Sequence, residues 1–115
     1  MPNSILIIDD EKAILKVMEM NLQREGYSVF TADNGNDGLK ILQEKDIDVL
    51  LLDHQMPDIN GLELLKIIKN RYKDLSVIMV TAYGTIEMAV DAMKLGAFHY
   101  LTKPINFDEM YIIIR

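Results

Sequence analysis

The sequence predicts an α/β domain, a doubly wound sheet of five parallel strands with helices on both faces. Three observations lead there. Five short aliphatic stretches recur along the chain, segments with apolar residues at helical spacing separate them, and the first, third and fourth stretches are apolar at nearly every position. Alternation of apolar and polar residues marks a strand with one wet face, whereas a continuous apolar run marks a strand covered on both sides. Short connections and right-handed crossovers then leave doubly wound orders, with 2-1-3-4-5 and a Rossmann-like order both open at this level.

Taken in order, the first strand is read at 4–8 ("SILII"), and Ile14, Val17, Met18 and Leu22 give the following helix its apolar face, with Gly26 ending it. The second strand is 28–32 ("SVFTA") and its helix carries Leu39 and Leu42; the third is 48–52 ("DVLLL"), followed by Leu64, Leu65 and Ile68. After the fourth strand at 76–80 ("SVIMV"), Ile86, Ala89, Val90 and Met93 follow the i, i+3, i+4, i+7 pattern and predict one buried face, with Thr85 as cap and Gly96 as stop. The fifth strand is 97–101 ("AFHYL"). Asn106 and Glu109 have capping-box spacing before a last helix that, ending on "YIIIR", looks truncated. Met18, Met20, Met88 and Met93 read as core filler or neutral helix residues rather than a cofactor surface.

A chain of 115 residues with 50% hydrophobic content is expected to form one domain over 1–115. With no cysteine and two histidines, it has neither a disulfide scaffold, a thiol nucleophile nor a zinc ligand set, and it suits a reducing compartment. No long apolar run or export leader is present, so a cytoplasmic location without membrane contact is expected. The net charge of -6 disfavours direct binding to nucleic acid, which needs a basic footprint.

In such a sheet, ligands bind outside the carboxyl ends of the strands. The first strand runs into Asp9 and Asp10, the third into Asp53, the fourth into Thr81 and the fifth into Thr102, Lys103 and Pro104. Any of these alone is ordinary; Asp10, for instance, could simply cap the first helix. Together they bring three carboxylates, a hydroxyl and a lysine to one edge. Two carboxylates about 4 Å apart repel by roughly 4 kcal/mol at an effective dielectric near 20, and one lysine does not compensate three of them. A hard divalent cation such as Mg²⁺ fits the oxygen-only donor set. The chemistry that follows is phosphoryl transfer onto a carboxylate, with Asp53 at the centre of the edge as nucleophile, Asp9 and Asp10 toward the metal, and Lys103 and Thr81 toward the phosphoryl oxygens.

The pieces "IIDDE", "LLLDHQMPDINGLELL", "VTAYGTIEMAVDAMKLGA" and "YLTKP" resemble the receiver domain of two-component response regulators, and the resemblance runs through the whole chain. The wording around the fourth helix is most similar to receivers of nitrogen-regulator-type transcriptional activators. The resemblance implies a flavodoxin-like sheet of order 2-1-3-4-5, and Asp53 as acceptor of a phosphoryl group from a sensor histidine kinase or a histidine phosphotransfer protein. It implies Mg²⁺ on Asp10, Asp53 and the backbone carbonyl of Gln55, with Asp9 acting mainly through a metal-bound water. It also implies Lys103 and Thr81 on the phosphoryl group, Tyr100 as the switch aromatic, Gln55 and Tyr83 as tuning positions, and a cis bond before Pro104. The signal would leave through the fourth helix, last strand and last helix, about 86–115, to an output domain or a homodimer, and Gly84 would let the loop after Thr81 shift. Such a domain modifies itself and is not a turnover enzyme.

Three other readings compete. An aspartate-nucleophile phosphatase would carry Asp-x-Asp, but Gln55 stands at the second position. A flavodoxin-like flavin module would need a phosphate-cradling loop where this chain has "DDEK". A degenerate receiver acting only through protein contacts would not need Asp10, Asp53 and Lys103 intact. His54 follows the acceptor, but the two-residue period of a strand points it away from Asp53, and His99 reads as packed or surface exposed.

Overall fold

The computed structural model describes residues 3–82 and 85–114. Its elements alternate as β1 (Ser4–Ile8), α1 (Lys12–Arg24), β2 (Ser28–Ala32), α2 (Gly35–Glu44), β3 (Val49–Asp53), α3 (Gly61–Arg71), β4 (Ser76–Thr81), α4 (Ile86–Lys94), β5 (His99–Thr102) and α5 (Phe107–Ile114). All strand pairs are parallel and the order is β2-β1-β3-β4-β5, which resolves the choice left open by periodicity in favour of 2-1-3-4-5.

Successive strand residues point to opposite faces, so the apolar runs of β1, β3 and β4 supply two cores at once. Leu6, Ile8, Leu50, Leu52, Val77 and Met79 pack toward Leu42 of α2, Leu64, Leu65 and Ile68 of α3 and Ala92 of α4. On the other face Ile5, Ile7, Val49, Leu51, Ile78 and Val80 meet Leu15, Met18 and Leu22 of α1 and Met110 and Ile114 of α5. Among the described residues no helix is long and apolar enough to cross a membrane.

Helix boundaries follow local chemistry. The Asn34, Thr85 and Asn106 side chains accept the N–H of the residue three positions on, at 2.9, 3.1 and 3.1 Å. Gly26 and Gly96 take φ of +95° and +102°. Each forms a Schellman ending: Tyr27 N–H reaches the Leu22 carbonyl and Gly26 N–H that of Gln23, while Ala97 and Gly96 do the same to Ala92 and Met93.

Several expectations need correction. The third strand starts at Val49, because the Asp48 carboxylate turns back to accept the N–H groups of Asn3 and Ser4 at 2.9 and 3.0 Å, and Asp53 itself closes the strand. The fourth extends through Thr81. The fifth starts at His99, since Ala97 belongs to the end of α4. On α1 the buried line is Leu15, Met18 and Leu22, whereas Val17 is 48% exposed. The larger difference is α4: Ile86 is 85% exposed, Val90 and Met93 are exposed as well, and only Ala92 is buried. Spacing identifies an apolar stripe but not which neighbour covers it, and here the helix rests on its small residue instead. Of the methionines, Met18 is buried, Met88 half-buried, and Met20 and Met93 exposed.

Candidate phosphoacceptor site

The parallel order brings the carboxyl ends of β1, β3, β4 and β5 side by side. Asp9 and Asp10 follow Ile8, Asp53 pairs in register with Val80, Thr81 ends β4, and Lys103 follows Thr102, its N–H donating to the Thr81 carbonyl at 2.8 Å. The Lys103–Pro104 peptide bond is cis.

Carboxylate oxygens of Asp9, Asp10 and Asp53 all lie within 4.8 Å of one another. Lys103 Nζ reaches Asp9 Oδ2 at 2.9 Å, Glu11 Oε1 at 3.2 Å and Asp53 Oδ1 at 3.5 Å. Asp9 is also held on its other oxygen, which accepts the Glu11 N–H at 2.9 Å. No side chain caps α1, so Asp10 is left facing the recess rather than the helix. Asp9, Asp53 and Thr81 are buried, and Asp10 is exposed. A recess of about 150 Å³ opens between Asp10, Glu11, Asp53, Gln55, Thr81, Ala82 and Lys103.

Burial and then the neighbouring Asp9 charge push the Asp53 carboxyl up to about 7, with Asp10 adding to the rise, while Lys103 and the Gln55 N–H work against it. Burial would lower Lys103, but the hydrogen bond and charge of Asp9 and the charge of Asp53 outweigh it and hold the ammonium above its ordinary range. The pocket is therefore short of positive charge. Clustered carboxylate oxygens, a carboxyl whose ionisation is opposed first by burial and then by its acidic neighbours, and room beside them fit a hard divalent cation.

The structure thus brings together Asp9, Asp10, Asp53, Gln55, Thr81 and Lys103. Tyr100 lies on β5, half-buried and outside the recess; its hydroxyl is buried with no hydrogen-bond partner among the described residues, and burial raises its pKa. Tyr83 and Gly84 lie outside the described residues. His54 does not line the recess, and burial lowers its pKa; His99 is exposed. Sequence reasoning missed Glu11 and Ala82. The former had a signal, a third acid in "DDEK" at the start of α1; a small residue after Thr81 carried none.

A carboxylate cluster with one lysine, set at the edge of a 2-1-3-4-5 sheet, fits the class of signalling domains that are modified on their own aspartate and do not turn over an external substrate, and solved structures that the chain resembles are among them. The chain belongs to the response regulator receiver domain family, whose model matches residues 5–115. It is 43% identical over 112 residues to the DNA-binding transcriptional regulator NtrC of Proteus hauseri, covering 97% of this chain and 24% of that protein. The chain therefore spans about a quarter of the length of the curated relatives it matches. Among solved structures, the beryllofluoride-activated NtrC4 receiver domain dimer matches with TM-score 0.91 and 33% identity, covering 96% of this chain and 92% of that one. A response regulator from Burkholderia pseudomallei, with a phosphorylated aspartic acid and a calcium ion, matches with TM-score 0.92 and 28% identity over 98% of this chain and 66% of that one.

Proposed function

We propose that this domain is the phosphoacceptor switch of a two-component pathway, with Asp53 taking a phosphoryl group from the phosphohistidine of a sensor histidine kinase or a histidine phosphotransfer protein. The observation that carries this reading is the clustering of Asp9, Asp10 and Asp53 at one edge, with Lys103 paired to Asp9 and Asp53. In the transfer a carboxylate oxygen of Asp53 bonds to phosphorus as the phosphorus–nitrogen bond breaks, and the leaving imidazole keeps the electron pair and takes up a proton.

Asp10, Asp53 and the Gln55 carbonyl would hold Mg²⁺, with Asp9 contributing through water; when bound, the ion supplies charge neutralisation to the phosphoryl oxygens. Lys103 offers its ammonium to those oxygens, and Thr81 its hydroxyl. Modification adds about -1.5 to -2 charge at this edge. Lys103 and Thr81 are then drawn toward it, and Tyr100, the aromatic on β5, follows. The change reaches α4, β5 and α5, where the exposed Ile86, Val90 and Met93 offer a face for a second copy or for an output domain. A transcriptional output is part of this reading, supported by the Proteus relative. Tyr83 and Gln55 tune the lifetime of the modified state.

The test is incubation with acetyl phosphate and Mg²⁺ followed by intact-mass measurement. One added phosphoryl group is expected, labile to hydroxylamine, and absent both without the metal and in Asp53→Asn. No adduct, under conditions where another receiver reacts, would leave only the contact-only alternative.

A further inference from the structure

The segment 54–60 carries Gln55 past the mouth of the recess, and its two ends are tied close to the sheet. His54 N–H donates to the Val80 carbonyl at 3.0 Å, and Gly61 N–H returns to the His54 carbonyl at 2.7 Å. Between these ties runs the loop 55–60. Its outer part is held by a different element altogether. Asp58 Oδ1 accepts the N–H of Gly35 at 2.9 Å and Oδ2 that of Asn36 at 3.0 Å, so one carboxylate grips the first turn of α2 with both oxygens. Beside it Ile59 packs so closely on Gly35 that a Cβ there would lie 2.5 Å from Ile59 Cγ2.

This grip adds to the helix's own cap. Asn34 already accepts the Asp37 N–H, and Gly38 N–H makes the first bond within α2, to the Asn34 carbonyl. Asp58 takes two of the donors otherwise left open at the start of the helix, those of Gly35 and Asn36. Those amides, that of Gly35 foremost, hold its carboxyl below the usual carboxylate range, so the grip stays ionised near neutrality. The other end of the same loop lies at the acceptor, since Gln55 lines the recess together with Asp53 and its backbone N–H works to lower the Asp53 carboxyl.

We infer that Asp58 is a positioning residue of the phosphoacceptor site: by fastening the loop apex to α2, it fixes where Gln55 presents its backbone to Asp53 and to a divalent cation. The inference rests on the function proposed above. A ligand carbonyl on a loop secured only at its ends would wander by more than the roughly 0.5 Å that a metal or catalytic site tolerates. Gly35 is the matching half of the device, because only a residue without a side chain lets Ile59 and Asp58 seat together.

The test compares Mg²⁺ affinity of the whole chain, by calorimetry or amide chemical shifts, in wild type, Asp58→Ala, Asp58→Asn and Gly35→Ala. Asp58→Ala is expected to bind Mg²⁺ about tenfold more weakly, the lower end of what loss of an outer-shell support does. Saturating Mg²⁺ restores its rate of phosphorylation by acetyl phosphate, which places the defect in apparent metal affinity and not in maximal rate. Asp58→Asn keeps one acceptor oxygen and falls between. Gly35→Ala also weakens Mg²⁺ binding, although alanine is the better helix former; a role confined to stabilising α2 predicts unchanged Mg²⁺ affinity, and this variant serves if Asp58→Ala fails to fold. Wild-type affinity in both Asp58→Ala and Gly35→Ala, with wild type binding Mg²⁺ and accepting phosphate, overturns the inference alone. A wild type that does neither overturns the proposed function with it.

Discussion

Asp53→Asn should stabilise the domain, and by an amount that depends on pH. In the fold the Asp53 carboxyl titrates at about 7 against 3.8 for an unperturbed aspartate, so the folded state keeps a proton that the unfolded chain has released. The sign follows from linkage: where the native state binds more protons, stability falls as pH rises. The loss begins near the unfolded value, accumulates as pH climbs from 3.8 to about 7, and is complete above that. At about 1.36 kcal/mol per pKa unit the upper bound is about 4 kcal/mol. Lys103 is already counted in that value, and local relaxation lowers it further, so about 2–4 kcal/mol is the working range.

An asparagine is nearly isosteric and neutral at every pH. Relative to wild type, its advantage should be near zero at pH 4 and about 2–4 kcal/mol at pH 8.5, which for a domain this size is roughly 8–15 °C in the thermal midpoint. Using the difference between the two proteins cancels Asp48 and Asp58, whose lowered values act only at more acid pH. Thermal unfolding followed by circular dichroism at several pH values, with chelator present, gives the answer. An increment that is the same at pH 4 and pH 8.5, or a destabilised variant at pH 8.5, would refute the claim that the carboxylate cluster is under-compensated. Adding Mg²⁺ at pH 8.5 should narrow the gap by stabilising wild type more than the variant.

Other expectations follow from single contacts. Gly61→Ala would put a Cβ 2.5 Å from the Asp53 carbonyl oxygen and 2.6 Å from that of His54, both backbone, so the start of α3 must move; a loss of about 2–4 kcal/mol is expected in urea unfolding, as a lower midpoint at similar slope. Thr85→Ala removes the bond to the Met88 N–H and should cost about 1 kcal/mol by the same assay. Val90→Glu on the exposed stripe of α4 should leave stability within about 0.5 kcal/mol, while reducing any self-association seen by sedimentation after beryllofluoride treatment. Lys103→Met should greatly slow phosphorylation by acetyl phosphate, read by intact mass, because it removes the ammonium that bridges Asp9 and Asp53.

How much of this was legible in the sequence depended on whether the cause was local. β1, β3 and β4 could be read because strands buried on both faces have no polar alternation to confuse with anything else. The cluster could be read because topology places the carboxyl ends of parallel strands together, whatever separates Asp9, Asp53 and Lys103 along the chain. The face of α4 was misread for the opposite reason. Periodicity says that Ile86, Val90 and Met93 share a side; it does not say that α4 settles on Ala92 and leaves that side open. Likewise nothing in "MPDING" singles out Asp58, and only the fold reveals that its partners are amides 22 and 23 residues back.

The charge count at the sheet edge explains why the pieces need one another. Lys103 faces Asp9, Glu11 and Asp53 at once, and its shortest contact is with Asp9, not with the acceptor. One ammonium shared among three carboxylates does not offset burial and the Asp9 charge, and the Asp53 carboxyl is pushed up to about 7. A protonated carboxyl has one oxygen blocked and attacks phosphorus poorly. Further positive charge beside Asp10 and Asp53 favours the ionised form of Asp53 and, on the function proposed above, would free Lys103 to turn from Asp9 toward a phosphoryl group. On the proposed function, the deficit that is expected to make the Asp53→Asn protein the more stable one is also expected to slow modification until that charge is supplied.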